Sequence, residues 1–265
     1  MSLILRRVRE GAVLRLTLDD DATRNSLSEE MMDALQRALD EAETDHAVGV
    51  IVIAAAGKVF SSGHNLKQLT ARRKDPDGGE AYFSTVFARC ARLMTTLAKH
   101  RCAVIAEVDG LASAAGCQLV ATADLAYCSP RASFCTPGVS IGLFCSTPMV
   151  ALSRNVANKH AMEMLLTGDV LPADHAARIG LVNAVVPQND LTAHVAALAQ
   201  RIASKSQAAV AYGKRSFLEQ QHLPLEDAYA LTAGIMTRNM LDGAACEGLD
   251  AFINKRQPQW PKTGT

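Results

Sequence analysis

The spacing of apolar and polar positions divides the first half of the chain into strands and helices. Leu3 to Asp19 alternates loosely around Glu10-Gly11, which predicts two short strands in a hairpin. Ser26-Leu27-Ser28-Glu29 has the spacing of a capping box, with Ser26 as its hydroxyl, and the amphipathic run Glu29 to Thr44 follows it as a helix. Val48 to Ala55 is continuously apolar and β-branched, which predicts a buried strand ending in a turn at Gly57-Lys58. Val59 to Leu69 then reads as a strand end, a glycine turn and a helix start. The segment from Ala71 to Glu80 is charged and carries Gly and Pro, which predicts a mobile loop. Ala81 to His100 reads as a helix and Ala103 to Val108 as a buried strand.

That strand leads into Val108-Asp109-Gly110-Leu111-Ala112-Ser113-Ala114-Ala115-Gly116-Cys117-Gln118-Leu119, the stretch around which the chain is organised. Small residues run from Gly110 to Gly116, and helix formers follow. The pattern predicts a strand that turns tightly into a helix whose first turn is packed with small side chains. Such a helix start lets a ligand or another backbone approach exposed N–H groups, whose dipole suits an anion or a developing oxyanion. Tight packing alone explains the same residues, and from this stretch the two readings weigh equally.

Further on, Leu125–Cys128 and Ala132–Cys135 read as short strands around a Ser-Pro-Arg turn. Thr136 to Pro148 reads as a loop closed by a Ser/Thr cap, with Pro148 opening the next helix. From Asn158 the pattern is mainly helical, interrupted by a strand at Gly180 to Pro187. Strands with helices come first and a helical tail last, which argues for an α/β core capped by helices available for association.

Composition narrows the function classes. The chain has 265 residues, 49% of them hydrophobic and 20% charged, enough for a large core. Lys plus Arg equals Asp plus Glu at 27 each, so no net field favours nucleic acid or an anionic membrane. The first residues lack the apolar core of a signal peptide and no run approaches a membrane span. The seven cysteines are odd in number, mostly lie in apolar segments and form no C-x-x-C pair or His/Cys metal spacing. Reduced thiols in a cytoplasmic protein, with no metal and no covalently bound cofactor, are the expectation.

Four stretches together resemble the crotonase (enoyl-CoA hydratase/isomerase) superfamily. Phe60-Ser61-Ser62-Gly63-His64-Asn65-Leu66 is similar to that family's Phe-x-Ala-Gly-x-Asp-Leu loop. Gly116-Cys117-Gln118-Leu119 is similar to its Gly-Gly-Gly-Cys-Glu-Leu helix start. Phe134 to Leu143 matches the spacing of its Phe-x-x-Pro-Glu-x-x-x-Gly-Leu segment, and Glu247 to Pro258 looks like its C-terminal signature. His64-Asn65 and Gly142 to Pro148 look closest to a hydratase-domain-containing branch set apart from true hydratases.

The resemblance implies an α/β spiral of ββα units over residues 1–195 that carries an acyl-CoA site. It also implies a helical trimerisation region over 196–265, giving a homotrimer or a dimer of trimers. It further implies that the ligand or substrate is a coenzyme A thioester whose carbonyl is gripped by two backbone N–H groups, which by position belong to His64 and Ala115. Ser62, Gly63 and Leu66 would line the adenine and pantetheine path. Phe252 and Lys255 of a neighbouring subunit's tail would meet the nucleotide end. Arg24 and Lys58 are phosphate partners or, equally, solvated surface charges.

The departures matter more. The two positions that match the hydratase glutamates are Gln118 and Gly138. Glutamine can orient water or a carbonyl but cannot exchange a proton at neutral pH, and glycine supplies no side chain. Hydration by the two-glutamate route is not expected. The implied activity is enolate stabilisation with another or a minimal proton shuttle; the alternatives are a non-catalytic acyl-CoA-binding or regulatory protein and a true hydratase. His64 titrates near neutrality, but a solvent-facing loop residue is favoured over an acid/base role. Cys145 is a candidate pocket thiol, favoured as a buried one, and Ser146 and Thr147 read as helix caps. Gly110 to Ala115 also resembles the nucleophile segment of Clp-type peptidases, with Ser113 as nucleophile. The segment after Cys128 lacks the histidine that such a mechanism needs.

Overall fold

The structure, a computed structural model, describes residues 4–261; Leu3 of the expected hairpin lies outside them. The chain opens with β1 (Leu5–Glu10) and β2 (Val13–Leu18), antiparallel, then α1 (Glu29–Thr44), β3 (Val50–Ala55) and β4 (Val59–Ser61). Next come α2 (Leu66–Ala71), α3 (Glu80–Lys99), β5 (Ala103–Val108), β6 (Leu111–Ser113) and α4 (Ala115–Thr122). β7 (Leu125–Cys128), β8 (Ser133–Cys135), α5 (Ser146–Asn155), α6 (Asn158–Thr167), β9 (Leu171–Pro172) and α7 (Ala173–Arg178) follow. The chain ends with β10 (Ala184–Val185), α8 (Leu191–Ala203), α9 (Gln207–Gln220), α10 (Leu225–Met240) and α11 (Gly243–Ile253).

After the β1–β2 hairpin, whose strands lie in one sheet, the strands of the following strand–strand–helix units are shared between two sheets. One sheet runs β1-β2-β3-β5-β7-β10 and the other β4-β6-β8-β9, so the chain alternates between them as it spirals. Parallel pairing joins β2 to β3, β3 to β5 and β5 to β7, which requires cover on both faces. The sequence supplies that cover by alternation. Ile51 and Ile53 of β3, with Val104 and Ala106 of β5, enter the main core beside Met31, Leu35 and Leu93. Val50, Val52 and Ile105 point the other way, onto Leu191, Val195 and Leu198 of α8.

Several sequence expectations change. The hydroxyl that caps α1 belongs to Ser28, which accepts from the Met31 N–H at 3.2 Å; Ser26 is buried and its hydroxyl makes no such bond. The strand expected from Val48 begins at Val50, and that at 180–187 shrinks to Ala184–Val185, because the flanking residues serve a turn after α7. The expected loop at 71–80 is part helix: α2 continues into a 3-10 turn at Arg72–Lys74 before Gly79 opens α3. Ser146 is the first residue of α5 rather than its cap, and its hydroxyl turns back to the Phe144 carbonyl. The expected division at 195 falls inside α8, which packs against the sheet as one unit; α9 and α10 beyond it contain no fully buried residue.

Candidate active site

The second sheet delivers two tight turns to one place. β4 ends at the buried Ser61, whose hydroxyl accepts from the Gly63 N–H at 3.3 Å. Gly63 has φ +84°, and a Cβ there would stand 2.9 Å from the Ser113 carbonyl oxygen and 3.2 Å from the Ala115 nitrogen. A Cβ on Gly116 would meet the Ser61 carbonyl oxygen at 2.5 Å. Only glycines allow this approach, so the small-residue stretch is used to bring two backbones together.

The approach sets the Gly63 turn against the start of α4. Ala115 is the first residue of α4, so its N–H has no intrahelical acceptor. Ala114 before it holds φ +50° and ψ −115°, a strained conformation for a residue with a Cβ, pinned by its N–H to the Cys135 carbonyl at 2.9 Å. Across the gap, the bonds that hold the Gly63-His64-Asn65 turn are made by its neighbours. The Gly63 carbonyl accepts from Leu27, and the Asn65 side chain caps α2 through the Lys67 and Gln68 N–H groups. The His64 N–H takes no part in them.

The His64 side chain corrects an expectation. It does not face solvent: neither ring nitrogen is accessible or has a hydrogen-bond partner among the described residues, and the ring lies edge-on to Phe87 of α3 with centroids 5.5 Å apart. Burial pushes its pKa below the ordinary histidine value, so the imidazole is neutral at pH 7.

Gln118 and Gly138 behave as their residue types dictate. Gln118 on α4 is 4% exposed, and its Oε1 accepts weakly from the Cys90 thiol at 4.0 Å, a thiol whose pKa burial pushes up to about 12. Gly138 lies in a 3-10 turn at Pro137–Ile141, and the room for a side chain there is taken. A Cβ would stand 3.0 Å from both the Cys145 Sγ and the Leu143 carbonyl oxygen. Cys145 is 8% exposed and burial raises its pKa, against the Gly138 backbone, so it is a neutral thiol. No carboxylate is contributed by these positions.

Arg24 and Ser62 come together: the Ser62 N–H donates to the Arg24 carbonyl at 3.1 Å and its hydroxyl to the Thr23 carbonyl at 3.1 Å. Asn25, which sequence reasoning missed, makes this junction. Buried in the left-handed region, it accepts from the Asp20 N–H and donates to the carbonyls of Ala56 and Val59, on either side of Lys58. Asn25 thus ties the backbone next to Arg24 to the segment that carries Lys58, and Leu66 is half-exposed at the start of α2. Phe252, near the end of α11, is 84% exposed, and Lys255 follows just past that helix. The Ser113 hydroxyl pairs with the Cys135 thiol at 3.4 Å and with no imidazole, so the peptidase arrangement is not formed. Among the described residues no group of three or more His, Cys, Asp or Glu could hold a metal, and no helix is long and apolar enough to cross a membrane.

Residues 8–263 match the family described as enoyl-CoA hydratase/isomerase. The chain belongs to that family. It is 46% identical over 252 residues to enoyl-CoA hydratase domain-containing protein 3, mitochondrial, of Xenopus laevis, covering 95% of this chain and 84% of the relative. A crystal structure of an enoyl-CoA hydratase from Mycobacterium smegmatis superposes with a TM-score of 0.92 at 43% identity, over 98% of this chain and 99% of that one. The human enoyl-CoA hydratase domain-containing protein 3 superposes with a TM-score of 0.92 at 41% identity, over 97% and 100%. The crotonase fold and the hydratase-domain-containing branch are therefore as the motifs implied. The Xenopus relative is named as mitochondrial, so a cytoplasmic location does not carry over from it.

Proposed function

We propose that this protein binds acyl-CoA thioesters, polarises the thioester carbonyl with the backbone N–H groups of His64 and Ala115, and stabilises an enolate without two-glutamate hydration. The observation that supports the reading is the close approach of Gly63 to Ala114-Ala115, where the Ala115 N–H opens α4 without an intrahelical acceptor. Two such donors aimed at a developing oxyanion need no particular side chain, and each is typically worth ~10²–10³ in rate. Ser62 and Leu66 then follow the pantetheine and adenine, and Arg24 and Lys58 flank the phosphates. Phe252 and Lys255 reach the nucleotide end of a neighbour's site in a homotrimer or dimer of trimers.

The groups around the carbonyl are neutral at pH 7: a glutamine, an imidazole with lowered pKa and a thiol with raised pKa. That neutrality disfavours water activation. It also supports a second reading, in which the same clamp binds acyl-CoA without turnover. Mass spectrometry of crotonyl-CoA and a 3-enoyl-CoA incubated with the protein in heavy water, beside a true hydratase, separates the outcomes. Deuterium uptake or double-bond migration without hydration is the expected result. Binding with no exchange selects the clamp, and enzyme-dependent water addition refutes the argument from Gln118 and Gly138.

A further inference from the structure

A cavity of about 810 Å³ opens between α3, α4, α5 and α9, within the ~300–1,000 Å³ of small-molecule sites. Its inner wall includes the buried Gln118, so it begins at the position that matches one of the two hydratase glutamates. Small or apolar residues line it on facing helices: Ala91 and Ala98 on α3, Val150 and Ala151 on α5, Val210 and Gly213 on α9. Protein interiors are normally filled to crystal-like density, and short side chains at these positions leave room between the helices.

The rim has a different chemistry. The exposed Lys99, Arg154 and His222 surround it, and among the described residues none of them forms an ion pair. Arg154 spends one nitrogen on the Val150 carbonyl of its own helix and keeps the rest of its guanidinium. The lining contains one carboxylate, Asp124, already held by Lys214 at 2.7 Å and by the Val104 N–H at 2.7 Å. An apolar interior under a cationic rim fits an apolar chain that ends in a carboxylate.

We infer that this cavity takes the distal part of the acyl group and that its rim, through Arg154 and Lys99, selects acyl chains bearing a terminal carboxylate, making dicarboxylic monothioesters of CoA the preferred ligand class. The inference rests on the acyl-CoA reading of the site. The same chain-plus-carboxylate chemistry is offered by a free fatty acid, which the test separates.

Calorimetric titration of the full chain compares acetyl-CoA, octanoyl-CoA, the CoA monothioester of the eight-carbon dicarboxylic acid, and free octanoate. The dicarboxylic monothioester is expected to bind about fivefold or more tighter than octanoyl-CoA, the size of one partly exposed charge-assisted contact. Arg154→Gln combined with Lys99→Gln should remove that difference. A Cβ on Gly213, which lines the cavity, would meet nothing within 4 Å, so Gly213→Met starts into open space and improves the helix. It should weaken both eight-carbon thioesters about tenfold by displacing buried methylenes, and leave acetyl-CoA unchanged. Equal affinity for the two eight-carbon thioesters overturns the proposed selectivity. Indifference of both to Gly213→Met overturns the placement while the acyl-CoA reading stands. Free octanoate binding tightly with no advantage for the dicarboxylic thioester makes the cavity a separate fatty-acid site and also overturns it. If acetyl-CoA itself fails to bind, the acyl-CoA reading falls and takes this inference with it.

Discussion

Replacing Gly138 by glutamate should not simply restore a hydratase carboxylate, because the space it needs is occupied. The new Cβ would stand 3.0 Å from the Cys145 Sγ, 3.0 Å from the Leu143 carbonyl oxygen and 3.2 Å from the Cys145 nitrogen. Two of these atoms are backbone and cannot rotate away; the third is a thiol that is 8% exposed. Overpacking of this kind typically costs ~1–3 kcal/mol, with the desolvation of a carboxylate added. For a chain of this length that corresponds to a fall of roughly 2–12 °C in Tm. Removing the thiol frees one of the three contacts, so Gly138→Glu with Cys145→Ala should be more stable than the sum of the two single variants by at least ~0.5 kcal/mol, the coupling expected of residues in contact. Thermal unfolding followed by calorimetry on the wild type, both singles and the double provides the cycle. Effects that add within ~0.3 kcal/mol would refute the reasoning, since they would mean that the Cys145 Sγ does not fill the position of the missing side chain.

Three further outcomes follow from other parts of the molecule. Gly63→Ala should lower any turnover by ~10²–10³ and acyl-CoA affinity by less, because its Cβ would force the two turns apart and such donors act most on the developing oxyanion; His64→Ala keeps its backbone N–H and should change either by much less, as turnover assays and titration of both variants with acetyl-CoA would show. Lys214→Met should destabilise by roughly 1–2 kcal/mol, mostly by leaving the Leu97 and Cys102 carbonyls without their donor, with the partly exposed Asp124 adding less, and Asp124→Asn in the same chain should recover part of it in thermal melts. Glu247, bonded by Arg256 and the Gln259 N–H, has its pKa lowered to about 2. Its tie is therefore complete above the ordinary carboxylate pKa and is lost as pH falls through about 2. The single tryptophan, Trp260, whose indole N–H donates to the Ser204 carbonyl, should report that release by fluorescence, and Glu247→Gln should abolish the step.

Much of the fold was legible because its signals are local. The run at 50–55 and, apart from Glu107, that at 103–108 are apolar on both faces since helices cover both sides of a parallel sheet, and Glu29 to Thr44 shows its stripe plainly. The small-residue stretch announced a close approach, but not which backbone comes close; that partner, Ser61 to Gly63, lies some fifty positions earlier and on a neighbouring strand. Strands of two or three residues, such as β6 and β9, carry too little pattern to separate from turns. The helix cap was placed on Ser26 because two serines stand next to Glu29, and only tertiary contact decides which hydroxyl faces the helix. His64 was read as solvent-facing because nothing in its own loop shows Phe87 arriving from α3. Asn25 gave no signal at all, since its three bonds go to backbone groups that only folding brings near. The blocked space at Gly138 was equally hidden, because the sequence shows a missing carboxylate but not the thiol that takes its place.

The central claim is that the His64 and Ala115 N–H groups polarise a bound thioester carbonyl. Vibrational difference spectroscopy of acetyl-CoA with an isotope-labelled carbonyl tests it most directly, on the wild type and on Gly63→Ala. The carbonyl stretch is predicted to move to lower frequency on binding than in water and to lose most of that displacement in the variant. A bound thioester whose carbonyl frequency stays at its value in water would contradict the account.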